Sequence, residues 1–500
     1  MSAFRDLALG EAIPNSLHAV SCSLPTMRSV RGYEEKDPQV VSHLATGYPR
    51  FVVHPLVRRL AAHLGGDPSL AGRTLWLTSS FSMAKRLQDK LGASSGAQLL
   101  SRGGVHGVSH PEDTTLAAQA KVFLQNIGGF LSSREAEDCL VALGVLPSAD
   151  PEPTFSGDAG AHIRRHLRTV LPEVGDPDIL LAPSGMNAVY TAFKVVSDLQ
   201  ASRGRTVWIQ LGWLYLDSIA ILKKYTQTPG DYRYAPDSLD LSHVRSLFAA
   251  EGDRIAGVIT EVPSNPLVQT TDLDELARLC RENGARLILD PSVGSLYSVD
   301  VLRYCDLVCC SLTKYTGSDG DIVAGALVVN PAGPDASALR SAAAAALEPV
   351  YPRDLARLAE QIERTRSVLD AIEAATPRVA AFLRAHPKVK DVFWAHQPKS
   401  AATYRRYARS ESSVGGMISF TLRTPMEPFY DALRLPKGPS FGMKTTLICP
   451  FMYLAHYDLV TSEEGRRELA ESGLDTDLLR LCVGTEPVED ILRSLAEALG

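Results

Sequence analysis

From about residue 178 the hydrophobic pattern becomes regular. Short apolar runs, DILLA at 178–182, TVWIQ at 206–210, IAGVIT at 255–260, RLILD at 286–290 and DLVCCS at 306–311, alternate with segments of helical spacing. Strands separated by helices predict a mostly parallel sheet with helices on both faces. The clearest helix is 271–283, where Thr271 and Asp274 stand at capping-box spacing. Leu273, Leu276, Ala277 and Cys280 then share a face, and Gly284 follows as a stop. Past an Ala-rich stretch, Ala342–Ala346, a long amphipathic segment runs from Asp354 to His386. Strands at 417–423 and 478–483 precede a closing helix at 487–499, a pattern that predicts a smaller α+β domain. Residues 1–120 are more irregular, with a helix-like stretch at Leu56–His63 and a polar segment at 101–114. His106 and His110 in that segment lack a third ligand and read as solvated loop histidines.

Composition narrows the function. Five hundred residues predict two or three domains. A net charge of −6 without a basic stripe argues against a nucleic-acid partner held through phosphates. No apolar run reaches membrane-spanning length, and the N-terminal stretch, acidic at Asp6, has no apolar core of a signal peptide. The eight cysteines are scattered, with Cys305, Cys309 and Cys310 in or beside a strand-like run, and read as buried free thiols. A reducing, cytoplasmic location is the expectation.

The chemistry centres on SLTKY, Ser311 to Tyr315, directly after an apolar strand. A lysine at a buried strand end is costly unless something binds its amine. A carbonyl cofactor held as a Schiff base on Lys314 does so, and Ser311 and Thr313 offer hydroxyls suited to a phosphate ester. Alone, the segment is as well explained by a surface lysine. Asp290, however, ends another strand, and in a parallel sheet strand carboxyl ends line one crevice. Pyridoxal 5′-phosphate (PLP) needs such a carboxylate at its pyridine nitrogen, whereas in isolation Asp290 would read as a turn cap. Ser184-Gly185-Met186 opens a helix after a third strand end, an arrangement that binds anions. At a fourth, EVPSNP, Asn265 is placed to hydrogen-bond the cofactor's phenolic oxygen.

The series SGM, E-x-PSNP, a strand-end Asp, S-x-TKY and a late R-L-x-VG resembles the Cys/Met-metabolism family of PLP enzymes. SLPT at 23–26, GYEEKDP at 32–38, GYPRFVVHP at 47–55, LGWLYLDS at 211–218 and SFGMKTTL at 440–447 are most similar to its fungal-type cystathionine γ-synthase branch. The resemblance implies a fold-type-I transferase. It implies Lys314 as the Schiff-base lysine, Asp290 as the pyridinium partner, and Ser184, Gly185, Met186, Ser311 and Thr313 around the phosphate. Tyr215 would stack on the ring and help proton movement, and Arg480, beside Ser440, would clamp the substrate α-carboxylate. Tyr48 and Arg50 would reach the phosphate from a neighbouring subunit, which implies a homodimer or homotetramer with shared active sites.

The domains expected are therefore 1–150, an extension and inter-subunit arm with an added subdomain; 151–335, the PLP-binding α/β domain; and 336–500, the smaller α+β domain. The implied activity is γ-replacement on an O-acylated homoserine or a similar γ-activated amino acid. The alternatives are γ-elimination, or replacement by a carbon or nitrogen nucleophile in a secondary pathway; a non-catalytic PLP-binding protein fits the intact motif series less well. The sequence departs from the family at Ser318-Asp319-Gly320-Asp321, Pro439 and Thr445, positions expected to surround the substrate side chain. No metal is expected.

Overall fold

The computed structural model describes residues 4–500. Its centre is a seven-stranded sheet in the order Ile179–Ala182, Gly325–Val329, Leu307–Ser311, Arg286–Asp290, Ile255–Glu261, Val207–Leu211 and Tyr232–Ala235. Gly325–Val329 pairs antiparallel with both neighbours, and the other pairings are parallel. Six strands therefore point the same way, and their carboxyl ends form one edge. The strands read from the apolar runs are all present. Tyr232–Ala235 and Gly325–Val329 were not foreseen.

Every residue of Ile255–Glu261 is buried, as in a sheet covered on both faces. Side chains alternate between two cores: Leu287, Leu289, Val308 and Cys310 on one face, Ile288, Leu307 and Cys309 on the other. All eight cysteines are free, and only Cys139 is less than fully buried. The helix Leu273–Glu282 forms as expected, but its cap is Asp272, whose carboxylate accepts from the Glu275 N–H at 3.1 Å. Thr271 is instead buried just ahead of it.

The long amphipathic segment is two helices, Pro352–Ile362 and Thr365–Ala385, interrupted at Glu363 and Arg364. Beyond them lies an antiparallel sheet ordered Val389–Phe393, Met417–Leu422, Leu479–Cys482 and Leu447–Pro450, with the closing helix Val488–Leu499.

The region taken as irregular contains a folded subdomain. An antiparallel sheet of Arg73–Thr78, Val105–Pro111 and Gln98–Arg102 is accompanied by the helices Pro55–Gly65, Phe81–Leu91, Thr114–Ile127 and Ser133–Ala142. Leu56, Leu60, Leu77, Val105 and Leu140 form a core of its own. The loop reading of 101–114 is corrected. Gly103 and Gly104, at φ +57° and +83°, make a two-residue hairpin turn, a backbone conformation that glycine supplies at no steric cost. His106 and His110 lie on the returning strand, and the buried His110 accepts a hydrogen bond from Trp76 Nε1 at 3.2 Å. No helix among the described residues is long and apolar enough to cross a membrane.

Candidate active site

The carboxyl edge of the sheet opens into a cleft whose empty space, counted to its mouth, is about 910 Å³. Lys314 enters it just past the end of Leu307–Ser311 and is 7% exposed. Its Nζ donates to Ser440 Oγ at 2.6 Å and stands 4.7 Å from the ring centres of both Tyr48 and Phe441. Burial, then the positive charges of Arg480 and Arg50, hold its pKa well below the ordinary lysine range. A neutral amine ready to combine with a carbonyl is the result.

Asp290 and Glu261 end adjacent parallel strands and are paired in register. Burial pushes Asp290 up to about 6, although the Ser292 N–H donates to it at 2.8 Å. Glu261 is driven further up by burial and by the neighbouring Asp290. Two like charges this close do not both form, so the negative charge stays on Asp290 and a proton on Glu261. Glu261 accepts from the backbone N–H groups of Tyr215 and Asn265 and thereby fixes both residues. It was not singled out from sequence, although it opens the EVPSNP motif.

The helix Gly185–Ala201 starts at the same edge. A Cβ on Gly185 would lie 2.8 Å from Ser311 Cβ, so glycine lets the serine close over the helix start. First-turn N–H groups without intrahelical partners, beside a hydroxyl, make an anion cradle. Gly185, Met186 and Ser311 line the cleft, but Ser184 and Thr313 do not. The Ser184 hydroxyl caps the helix, accepting from Asn187 N–H at 3.1 Å. The Thr313 hydroxyl is engaged with the Ala324 backbone. Both hydroxyls thus have partners within the fold.

Arg480 faces the opposite wall, donating to Asn265 Oδ1 at 3.2 Å and to the Ser440 carbonyl at 3.1 Å. Its guanidinium lies 4.6 Å from the Phe451 ring and 5.2 Å from the Phe441 ring. Ser440 has φ +85°, a left-handed conformation costly for a residue with a Cβ. Tyr215 is half-buried; desolvation of its hydroxyl raises it far above the usual range, and that hydroxyl accepts from Arg50.

Within the single chain, Tyr48 and Arg50 line the cleft. Five residues beyond Arg50 the chain enters the helix Pro55–Gly65 of the added subdomain. A correction concerns the departures from the family pattern. Asp319 pairs with Arg357 and Arg364 at 2.9 Å, and with Lys444. Asp321 pairs with Arg357 at 2.8 Å and accepts from Gln361. These carboxylates tie the Lys314 loop to Pro352–Ile362, and of the departures only Pro439 lines the cleft.

A neutral buried amine, an ionised carboxylate across the cleft and an anion cradle between them fit PLP in each of its functional groups. A family model described as Cys/Met metabolism PLP-dependent enzyme matches residues 166–500. An L-2-amino-4-chloropent-4-enoate dechlorinase/desaturase of Streptantibioticus cattleyicolor is 38% identical over 97% of this chain and 97% of its own. A cystathionine gamma-synthase of Neurospora crassa is 26% identical over 98% of each chain. Among solved structures, cystathionine gamma synthase from Xanthomonas oryzae pv. oryzae, in complex with cystathionine, matches with a TM-score of 0.56 and 24% identity. That match covers 71% of this chain and 92% of the other, and carries the fold.

Proposed function

Because this chain belongs to the Cys/Met-metabolism family of PLP-dependent enzymes, we propose that it acts at Cγ of an amino acid and expels an uncharged γ-substituent. The observation that carries this reading is the wall around the substrate side. Phe51, Leu216, Phe441, Phe451, Leu454 and Ala455 line it, and the lining cations are Arg50, Lys314 and Arg480. Arg50 is paired with Asp217, Lys314 is held neutral, and Arg480 takes the α-carboxylate. No cation is left among the lining residues for a carboxylate or phosphate on the leaving group. The similarity to a dechlorinase/desaturase, whose substrate carries chlorine on C4, supports the same conclusion.

Bound PLP supplies the electron sink that makes Cα and Cβ acidic. Lys314 would hold the cofactor's carbonyl, and its Nζ is the group placed to move the α- and β-protons. Ser440 Oγ, 2.6 Å from that Nζ, orients it. Arg480 grips the α-carboxylate through a planar fork that its bonds to Asn265 and Ser440 keep in place. Asp290 keeps the ring nitrogen protonated, and Gly185, Met186 and Ser311 hold the phosphate. The aromatic wall keeps water from the unsaturated product of γ-loss.

The chain's similarity to cystathionine gamma-synthases over nearly its whole length favours, as a second reading, capture of that product by a thiol. The test offers 2-amino-4-chloropent-4-enoate, O-acetylhomoserine and O-succinylhomoserine, each with and without cysteine. Released chloride or acylate, 2-oxo acid and thioether are measured. Consumption of the chloro compound or the acetyl ester at least tenfold faster than the succinyl ester is expected. Equal or faster use of the succinyl ester would sink the reading. Diversion into thioether by cysteine would favour replacement over net elimination.

A further inference from the structure

We propose that a hydrogen bond buried behind the cleft, from Trp213 to His456, sets the width of the pocket for the γ-substituent and so selects the substituents the enzyme accepts. The proposal rests on the reading that this substituent lies against the apolar wall, and it names what holds that wall in place.

The wall is assembled from elements of both large sheets. Leu216 opens the helix Leu216–Tyr225, which follows the main-sheet strand Val207–Leu211. Phe451, Leu454 and Ala455 belong to the helix Phe451–Ala455, which follows Leu447–Pro450 of the antiparallel sheet. The two strands lie in separate sheets, so no shared register fixes the gap between their helices. A five-residue helix is little more than one turn, too short to hold its own shape, and it stands where its neighbours place it. Its start is anchored, since the Phe451 N–H donates to the Leu478 carbonyl at 3.0 Å. Its other end, where Leu454 and Ala455 meet the cleft, stops at His456.

Trp213 Nε1 donates to His456 Nε2 at 3.1 Å, with the two rings at 74° and their centres 5.0 Å apart. Both residues are 7% exposed, and neither lines the cleft. An indole N–H only donates, so His456 Nε2 is the acceptor and the neutral ring carries its proton on Nδ1. Burial, and then the charge of Lys223, hold the His456 pKa down to about 3, so the bond is intact throughout the neutral range.

On the His456 side the bond reaches the wall through backbone and ring. The His456 N–H donates to the Met452 carbonyl at 2.9 Å and closes the wall helix, and its carbonyl accepts from Leu459 and Val460 in the next one. Its ring stands 6.0 Å from that of Phe451, on which the Arg480 guanidinium rests at 4.6 Å. On the Trp213 side the backbone is fixed. The Gly212 N–H donates to the Ala235 carbonyl at 2.8 Å, and the Gly212 carbonyl accepts from Gln210 Nε2 at 3.0 Å. Two residues past Trp213, the Tyr215 N–H is held by Glu261. A short helix at one sheet is thus tied by its far end to a fixed turn at the other. Trp213 and His456 are positioning residues, acting on the substituent through Leu454 and Ala455. Without the bond a buried donor or acceptor loses its partner, and the wall gives way at the end that carries those two side chains.

The test uses holoenzyme and straight-chain amino acids without a leaving group, so turnover is not needed. Dissociation constants of 2-aminopentanoate and 2-aminooctanoate are read from the absorbance of the bound cofactor. The proteins compared are wild type, His456→Phe, Trp213→Phe, the double variant and His456→Gln. Each Phe variant should shift the ratio of the two constants about tenfold in favour of the longer chain. The constant for the shorter chain and the midpoint for pyridoxal phosphate should stay within about threefold of wild type. The double variant should go no further than the larger single one, because both break the same bond. A glutamine Oε1 can accept from Trp213 Nε1, so His456→Gln should keep the wild-type ratio. The proposal is overturned by an unchanged ratio in His456→Phe, by additive effects in the double variant, or by a His456→Gln ratio that moves as far as that of His456→Phe. Should Trp213→Phe not fold, the two His456 variants decide alone. A wild-type preference for the succinyl ester would count against the uncharged γ-substituent only, since these ratios compare two uncharged side chains.

Discussion

Asp290→Asn should stabilise the apo-protein at neutral pH while weakening its hold on PLP. The carboxyl is buried at the end of its strand beside Glu261, and burial moves its pKa from 3.8 to about 6. At ~1.4 kcal/mol per pH unit, that displacement is worth about 3 kcal/mol. Between pH 3.8 and about 6 the folded chain keeps a proton that the unfolded chain has released. The stability Asp290 confers is therefore fully present below the lower value and lost as pH rises through the upper one. An asparagine does not titrate, and its carbonyl oxygen can still accept the Ser292 N–H that Asp290 accepts at 2.8 Å. Urea unfolding of apo-protein at a series of pH values should show the variant's advantage growing by about 3 kcal/mol between roughly pH 4 and 7.5. The same variant, titrated with PLP, should bind it more weakly, since the ring nitrogen loses its charged partner. A difference that stays flat across this range would refute the account of a carboxylate kept ionised against its surroundings. So would a variant less stable at the neutral end.

Lys314→Ala should fold and yet retain no cofactor on the chain after hydride reduction, as intact mass would show; a label elsewhere would move the linkage to another lysine. Gly185→Ala forces a Cβ to 2.8 Å from Ser311 Cβ and should weaken cofactor binding by roughly 1–3 kcal/mol, measured by fluorescence titration. Arg134→Met strips buried Asp354 of its counter-charge, leaves Glu152 to Arg353 and Arg357, and should cost about 3–5 kcal/mol in unfolding experiments.

The main sheet was legible because each buried strand is a short, nearly continuous apolar run, and because the residues that carry chemistry sit at strand ends. Lys314, Asp290 and Asn265 could be assigned to one crevice on that rule alone. Gly325–Val329 escaped because it begins only eleven residues after Lys314, with no helix between, and it runs opposite to its neighbours. The hairpin at Gly103-Gly104 was missed because its first strand, Gln98–Arg102, is mostly exposed and lacks an apolar alternation. The local motif around Arg50 identified the arm. What its guanidinium touches within the chain, Gln125 and Asp217, lies 75 and 167 residues away, and no local pattern encodes such separations.

The turn at Gly103-Gly104 stands on the added subdomain, whose Leu56, Leu60, Leu77, Val105 and Leu140 pack together apart from the main sheet. A Cβ on either glycine would meet nothing within 4 Å. Extra residues at that tip therefore have nowhere to transmit strain, and the loop is the natural place to splice in a tag or a fluorescent reporter without silencing the enzyme.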